Sequence, residues 1–99
     1  MIVVDDNSTD GTVDVIRGFD DKRLIYIAQD DSYHAIGGNW NAAVHHPKCG
    51  RFALQLDSDD MYSDENTVQR FVDTFRMENC AMVIGTYQIT DIDLRPLPP

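Results

Sequence analysis

The chain has 99 residues, of which 42% are hydrophobic and 25% charged, and this composition is typical of one small globular domain. Its formal net charge of −9 argues against nucleic acid as a partner, because no basic stripe is present to displace counterions from phosphates. No apolar run approaches the roughly 18 residues of a membrane span, and the N-terminus lacks the basic region of a signal peptide, so we expect a cytoplasmic location.

The first half of the chain alternates short apolar strands with helices. The β-branched run MIVVD predicts a buried strand that ends at Asp5 or Asp6. The turn NSTDGT follows and leads into a helix that we expect to stop at Gly18. Residues 23–29, RLIYIAQ, predict a second strand, and a polar loop, DDSYHAIGG, then leads into a helix that Pro47 ends. The candidate caps of the first helix are Ser8, Thr9 and Asp10.

The second half repeats this alternation. Residues 51–56, RFALQL, predict a third strand, and residues 80–87, CAMVIGTY, predict a fourth. Between them, apolar side chains recur at helical spacing from Val68 to Phe75, and Ser63 is the expected N-cap of this helix. The order β-α-β-α-β-α-β predicts an α/β fold with a mostly parallel sheet and right-handed crossovers.

Acidic side chains follow two of the predicted strands at the points where those strands end. Asp5 and Asp6 close the first strand, and a second cluster follows the third strand. Ligands of parallel sheets bind beyond the carboxyl ends of the strands, which meet at one edge. We therefore expect both acidic groups to lie close together at that edge. The second cluster consists of Asp57, Asp59 and Asp60.

Five carboxylates at one edge favour either a bound divalent cation or raised pKa values, because like charges repel. Mg²⁺ and Mn²⁺ take oxygen ligands, and Mg²⁺ typically combines one or two carboxylates with waters and substrate phosphates. The sequence therefore predicts a Mn²⁺ or Mg²⁺ site that brings a phosphate-bearing ligand to an acidic chain. The alternative is an acidic turn whose aspartates only cap helices. A calcium loop beginning at Asp6 is excluded, since its twelfth residue is Arg17 instead of a bidentate glutamate.

Two blocks of the sequence, IVVDDNSTDGT and GRFALQLDSDD, resemble the inverting family 2 glycosyltransferases. Members of that family read V-V-D-D-x-S-x-D-G-T and, further along, L-D-S-D-D, the D-x-D metal motif. The resemblance implies the GT-A nucleotide-sugar-binding fold. It covers nearly the whole chain but only a middle slice of the family's domain. We therefore expect residues 1–99 to form a single partial domain, with the first strand and the acceptor half absent.

The resemblance also implies roles for residues of the first block and of the second predicted helix. Asp6 matches the aspartate that hydrogen-bonds the nucleotide base, with Asp5 beside it, and a carboxylate can accept from an N–H such as the uracil imide. Ser8 matches the serine of the same motif and is expected to contribute to nucleotide-sugar binding. Asn41 matches the asparagine of the family's A-R-N-x-G sequence, in which Trp40 replaces the arginine.

In the second block the resemblance separates the three aspartates. Asp57 matches the first aspartate of D-x-D, near the ribose. Asp59 matches the second, which ligates Mn²⁺ or Mg²⁺ at the diphosphate. Asp60 belongs to the same predicted metal set and is expected to orient the metal ligands or to cap the turn. The implied partners are a nucleotide-diphosphate sugar, most simply a UDP-sugar, and a glycan or other hydroxyl acceptor.

These matches predict the donor-binding part of a metal-dependent, inverting glycosyltransferase. The general base lies outside the matched residues, so we expect the fragment alone to be inactive. The alternative function is a phosphoacceptor receiver-like signalling module that binds Mg²⁺. Its later strand-end lysine has no counterpart, since Lys22 and Lys48 both precede Asp57. Exposed sheet edges also predict self-association.

Overall fold

The computed structural model describes residues 1–30 and 35–98. Contacts divide the chain into two compact units, Met1–Asp57 and Ser58–Pro99. The first unit holds four of the elements and the second holds one helix. In chain order the elements are β1 (Ile2–Asp5), α1 (Thr12–Arg17), β2 (Ile25–Ala28), α2 (Ile36–Val44) and α3 (Thr67–Glu78). The fold is α/β with a small parallel sheet, as the sequence predicts.

The sheet of the first unit consists of β1 and β2 in parallel register. Ile2 lies opposite Ile25, and Asp5 lies opposite Ala28. The ladder continues one residue further, because the Gln29 N–H donates to the Asp5 carbonyl oxygen at 2.9 Å. Helix α1 makes the crossover between the strands, and α2 packs against β1. The carboxyl ends of both strands therefore meet at one edge, near α2.

The ends of α1 follow from local hydrogen bonds. Asp10 Oδ1 accepts from the Thr12 N–H at 2.9 Å and from the Thr12 hydroxyl, so Asp10 is the side chain of the turn that starts the helix. The N-cap position itself is Gly11, which has no side chain to contribute. The hydrogen bond from the Thr12 hydroxyl is the main reason that the pKa of Asp10 lies below its usual value. At the other end the Gly18 N–H donates to the Asp14 carbonyl oxygen at 3.0 Å.

The third and fourth predicted strands are not formed. Within the described residues, the sheet contains β1 and β2, and residues 51–56 and 80–87 join no ladder. An isolated antiparallel bridge joins Thr90 to Pro96. Apolar and β-branched composition shows that a segment suits a pleated surface, but a strand also needs a backbone partner that is remote in sequence. The full alternating pattern predicted from the sequence is therefore wrong for these two segments.

Two parts of the predicted pattern lie outside the described residues. They are residues 31–34 of the polar loop before α2 and the last proline of the tail.

Burial is shallow in the described part of the chain. None of its apolar side chains is fully buried, and the strand residues Ile2, Val3 and Val4 are half-buried. The buried side chain is polar: Asp5 is 7% exposed. A carboxylate out of water requires hydrogen-bond donors, so the surroundings of Asp5 are built around its charge.

Helix α3 begins four residues after the predicted cap. Its N-cap position is Asn66, and Ser63 instead contacts the Thr67 hydroxyl at 3.0 Å. Asp64 organises this turn, since its carboxylate accepts from the Asn66 N–H at 2.8 Å and from the Arg70 guanidinium at 2.7 Å. The prediction of Ser63 as the cap is wrong, because an aspartate accepting from the N–H two residues on forms a stronger turn than a hydroxyl.

We expect Asp64→Ala to lower the melting temperature of the second unit by about 5 °C, as the loss of a helix-start side chain typically does. Ser63→Ala is the matched control, since its hydroxyl touches the same turn without accepting its N–H, and we expect a smaller change. Thermal unfolding followed by circular dichroism at 222 nm measures both. An equal decrease in the two variants would show that Asp64 has no special part in starting α3.

The melting temperatures of wild type and Asp64→Ala should also depend differently on pH. The Arg70 guanidinium, followed by the Asn66 N–H, lowers the pKa of Asp64 below 3.8. Because the folded-state pKa is the lower one, the stabilisation is present above the usual carboxyl pKa and is lost as pH falls through the lowered value. The difference in melting temperature between wild type and Asp64→Ala should therefore stay constant at neutral pH and shrink as pH falls below 3.8 and through the lowered pKa. A difference that stays constant over this range contradicts the assignment.

Candidate functional site

The acidic pair at the end of β1 lies beside the end of β2. Asp5 is buried, and its Oδ2 accepts a hydrogen bond from the Tyr26 hydroxyl at 3.2 Å. Its backbone oxygen accepts from the Gln29 N–H. The parallel register brings both donors to Asp5 from β2, so the side chain and the main chain of this aspartate are held by the same neighbouring strand.

Tyr26 shows the electrostatic effect of this arrangement. Burial of its hydroxyl is the main cause that raises the pKa of Tyr26 above 10.0, and the charge of Asp5 and the hydrogen bond to it add to the increase. The Arg17 guanidinium lies 5.9 Å from the centre of the ring and acts in the opposite direction. The phenol is therefore held protonated, as a donor to Asp5, at every physiological pH.

Asp6 has different neighbours. The Asn39 side-chain amide donates from Nδ2 to Asp6 Oδ2 over 3.4 Å. Gln29 Nε2 in turn donates to Asn39 Oδ1 at 3.2 Å and to the Gly38 carbonyl oxygen at 3.5 Å. All of these groups are half-buried. A chain of side-chain amides thus runs from the end of β2, through the first part of α2, to the carboxylate that follows β1.

Sequence reasoning did not identify Tyr26, Gln29 or Asn39. Gln29 could have been found, because it follows the second predicted strand at the edge where Asp5 and Asp6 were expected. For Asn39 the resemblance pointed instead to Asn41, two positions further along α2.

The structure places the other predicted residues of this unit at the surface. Ser8 and Asn41 are exposed, and the backbone oxygen of Asn41 accepts from the His45 N–H at 3.1 Å. Asn7, between Asp6 and Ser8, has a φ of 57°, in the left-handed region that asparagine tolerates better than most residues. The chain therefore turns sharply directly after the acidic pair.

The second acidic cluster is arranged less tightly. Asp57, the last residue of the first unit, is half-buried, and its Oδ1 accepts from Gln55 Nε2 at 2.6 Å. Asp59 and Asp60 belong to the second unit and are exposed. They line an open groove of about 730 Å³, whose other walls are formed by polar and apolar side chains of the same unit: Tyr87, Gln88, Ile89, Thr90, Asp91, Ile92 and Leu94.

The donor chemistry of this cluster suits a hard divalent cation, since all three aspartates offer oxygen ligands. Across residues 1–30 and 35–98, however, no three His, Cys, Asp or Glu side chains lie close enough to hold a metal ion together. A site with one or two carboxylates remains compatible with the chemistry of Mg²⁺. The metal set of Asp57, Asp59 and Asp60 stays a prediction, as does the meeting of the two acidic clusters at one edge.

Comparison with known proteins decides the family. The model of the family described as "Glycosyl transferase family 2" matches residues 1–99. The chain belongs to this family. No solved structure matches it. Among the described residues of this family 2 glycosyltransferase chain, no helix is long and apolar enough to cross a membrane.

A curated relative supports the same assignment. The family 2 chain is 33% identical over 101 residues to a protein of Bacillus subtilis (strain 168) named "Putative teichuronic acid biosynthesis glycosyltransferase TuaG". The aligned region takes in 98% of this chain but 38% of TuaG, so the chain spans less than half the length of the relative.

The contact between Asp5 and Tyr26 can be tested directly. We expect Asp5→Asn to lower the pKa of Tyr26 towards, but not to, its ordinary value of 10.0, because the carboxylate charge disappears while the burial remains. A pH titration of the tyrosine ring carbons by NMR measures this, with Tyr26→Phe identifying the resonance.

The exposed Asp14 provides the matched control, since Asp14→Asn removes one negative charge from α1 without touching Tyr26. The pKa of Tyr26 should not move in that variant. If Asp5→Asn and Asp14→Asn shift it equally, the effect comes from net charge and not from the hydrogen bond at the strand ends.

Proposed function

We propose that this chain forms the donor-binding part of a metal-dependent glycosyltransferase. The whole enzyme transfers a sugar from a nucleotide-diphosphate sugar, most simply a UDP-sugar, to an acceptor hydroxyl with inversion. Membership of glycosyl transferase family 2 supports glycosyl transfer as the reaction class. The relative's name places TuaG in teichuronic acid biosynthesis, which is consistent with a glycan acceptor. The name of this relative also favours glycosyl transfer over the function of a phosphoacceptor receiver.

The observation that carries the proposal is the pair of carboxylates where β1 ends. Ligands of parallel sheets bind beyond the carboxyl ends of the strands, and here that edge presents Asp5 and Asp6 held by β2 and α2. Asp5 is buried and tied to Tyr26, so its role is to shape the edge. Asp6 is the carboxylate that accepts an N–H of the nucleotide base, as a uracil imide offers.

Asp59 is the proposed metal ligand, with Asp57 and Asp60 as its supporting carboxylates. When bound, Mn²⁺ or Mg²⁺ supplies positive charge that stabilises the departing nucleoside diphosphate. The chain itself contributes the carboxylate oxygens of Asp59 and Asp60. Because both side chains are exposed, water solvates their charges before a cation binds, and no desolvation free energy opposes folding. On a chain of net charge −9, the cation also offsets repulsion of the diphosphate.

The remaining parts of the proposal concern the whole protein. Inversion requires a general base opposite the leaving group, and no residue of this chain is assigned to that role. We therefore propose that residues 1–99 bind the donor as a partial domain and do not complete the transfer alone. Cytoplasmic location and self-association through sheet edges stay predictions of the same kind.

The metal assignment can be tested by calorimetry on the protein expressed from its complete reading frame. We expect UDP to bind about tenfold or more tightly with Mn²⁺ than with EDTA, because a cation held by Asp59 would offset the charge of the diphosphate. Asp59→Asn should remove most of that gain. Asp73→Asn is the matched control, since Asp73 is an exposed aspartate of the same unit that contacts Gln69 on α3, and it should behave as wild type.

Two results would contradict the proposal in different ways. If UDP binds equally well with Mn²⁺ and with EDTA, and Asp59→Asn changes nothing, the metal assignment is wrong while nucleotide binding stands. If UDP and other nucleoside diphosphates do not bind under either condition, the donor-binding function itself is wrong.

A further inference from the structure

The amide chain behind Asp6 is the feature that neither the sequence motifs nor the family membership explains. It consists of Gln29, which follows β2, and Asn39, in the first part of α2. Gln29 is anchored at its backbone, because its N–H extends the β1–β2 ladder to the Asp5 carbonyl oxygen at 2.9 Å. Its side chain therefore starts from a fixed point of the sheet and reaches the helix.

This anchoring determines which way the Asn39 amide faces. Gln29 Nε2 donates to Asn39 Oδ1 at 3.2 Å and to the Gly38 carbonyl oxygen at 3.5 Å, so two acceptors of α2 face one amide group of Gln29. With its oxygen engaged there, Asn39 presents its NH₂ group to Asp6 Oδ2 over 3.4 Å. The opposite orientation would place an amide oxygen against a carboxylate oxygen, which repel each other.

The contact between Asn39 and Asp6 is a long hydrogen bond of 3.4 Å. It gives the Asp6 carboxylate a preferred orientation through a half-buried donor that is itself held by the sheet. A carboxylate so held presents its acceptor oxygens at a defined position. The adjacent turn at Asn7, with φ at 57°, begins directly after Asp6.

We propose that Asn39, held by Gln29, is a positioning residue that orients the Asp6 carboxylate and thereby sets the preference of this site for a base with a ring N–H, such as uracil, over cytosine. The inference rests on the proposed function, in which Asp6 accepts from the base. Uracil offers a donor at its ring imide, while cytosine offers a ring acceptor there and a donor only on its exocyclic amine. A carboxylate in a fixed orientation distinguishes donors at different positions, and loss of the Asn39 donor weakens that distinction.

The test compares the affinities of UDP and CDP, measured by calorimetry at one Mn²⁺ concentration on the protein from its complete reading frame. We expect Asn39→Ala to weaken UDP binding by about fivefold to tenfold while CDP binding changes by less than about twofold, so that the preference for uracil falls. Asn39→Asp keeps the size of the side chain but replaces the donor with an acceptor, and it should weaken UDP binding more than Asn39→Ala does. Gln69→Ala, which removes an exposed amide from α3, is the matched control and should leave both affinities unchanged.

Each other result overturns the inference. If both variants bind UDP as wild type does, Asn39 does not position Asp6, although donor binding stands. If UDP and CDP affinities fall by the same factor, Asn39 supports only the general structure of the edge. Should Asn39→Ala fail to fold, the size-matched Asn39→Asp still decides, since a packing role predicts wild-type selectivity for it. If wild type binds neither nucleotide, the proposed function fails and this inference fails with it.

Discussion

The parallel pairing of β1 with β2 is the constraint on which the candidate site depends. The register places Asp5 opposite Ala28 and brings the Gln29 N–H to the Asp5 carbonyl oxygen. It also brings the Tyr26 hydroxyl within hydrogen-bond distance of the Asp5 carboxylate. A slip of one residue would reverse the faces of every side chain on β2 and separate these groups. The pairing of these two short strands therefore decides which groups donate hydrogen bonds to Asp5.

The pairing of β1 with β2 gives the neighbouring aspartates Asp5 and Asp6 different surroundings. Asp5 is 7% exposed and faces a phenol that is held protonated, so its charge is satisfied within the protein. Asp6 is half-buried and faces the Asn39 amide, whose orientation is determined by Gln29. A buried carboxylate that lost its donor would be destabilising. This difference in surroundings is the basis for proposing a structural role for Asp5 and a recognition role for Asp6.

The second acidic cluster satisfies its charges in another way. Asp59 and Asp60 are exposed to water, and Asp57 accepts a hydrogen bond from the neutral side-chain amide of Gln55. Crowding of three aspartates within four positions is therefore tolerated in the described structure through solvation and one hydrogen bond. Asp59 and Asp60 are solvated carboxylates at the wall of an open groove, where their oxygens are accessible to a hard cation.

Local sequence determined the helices and the first two strands. A helix closes its hydrogen bonds within four residues, so apolar spacing was sufficient to predict that α1, α2 and α3 exist. Asp10 and Gly18 marked the two ends of α1, whereas the start of α3 was misplaced at Ser63. The family motifs likewise identified the chain as a family 2 glycosyltransferase and singled out Asp5 and Asp6. Both kinds of signal lie in contiguous residues.

Tertiary structure decided what depends on partners that are remote in sequence. Residues 51–56 and 80–87 have the composition of strands but no ladder, because composition does not supply a neighbouring backbone. Asn39 reaches Asp6, whereas Asn41 is exposed, because two positions along a helix turn a side chain by roughly 200° about the axis. The sequence alone thus determined which carboxylates follow the strands and match the family motifs, and only the packing of α2 on β1 decided which amide contacts Asp6.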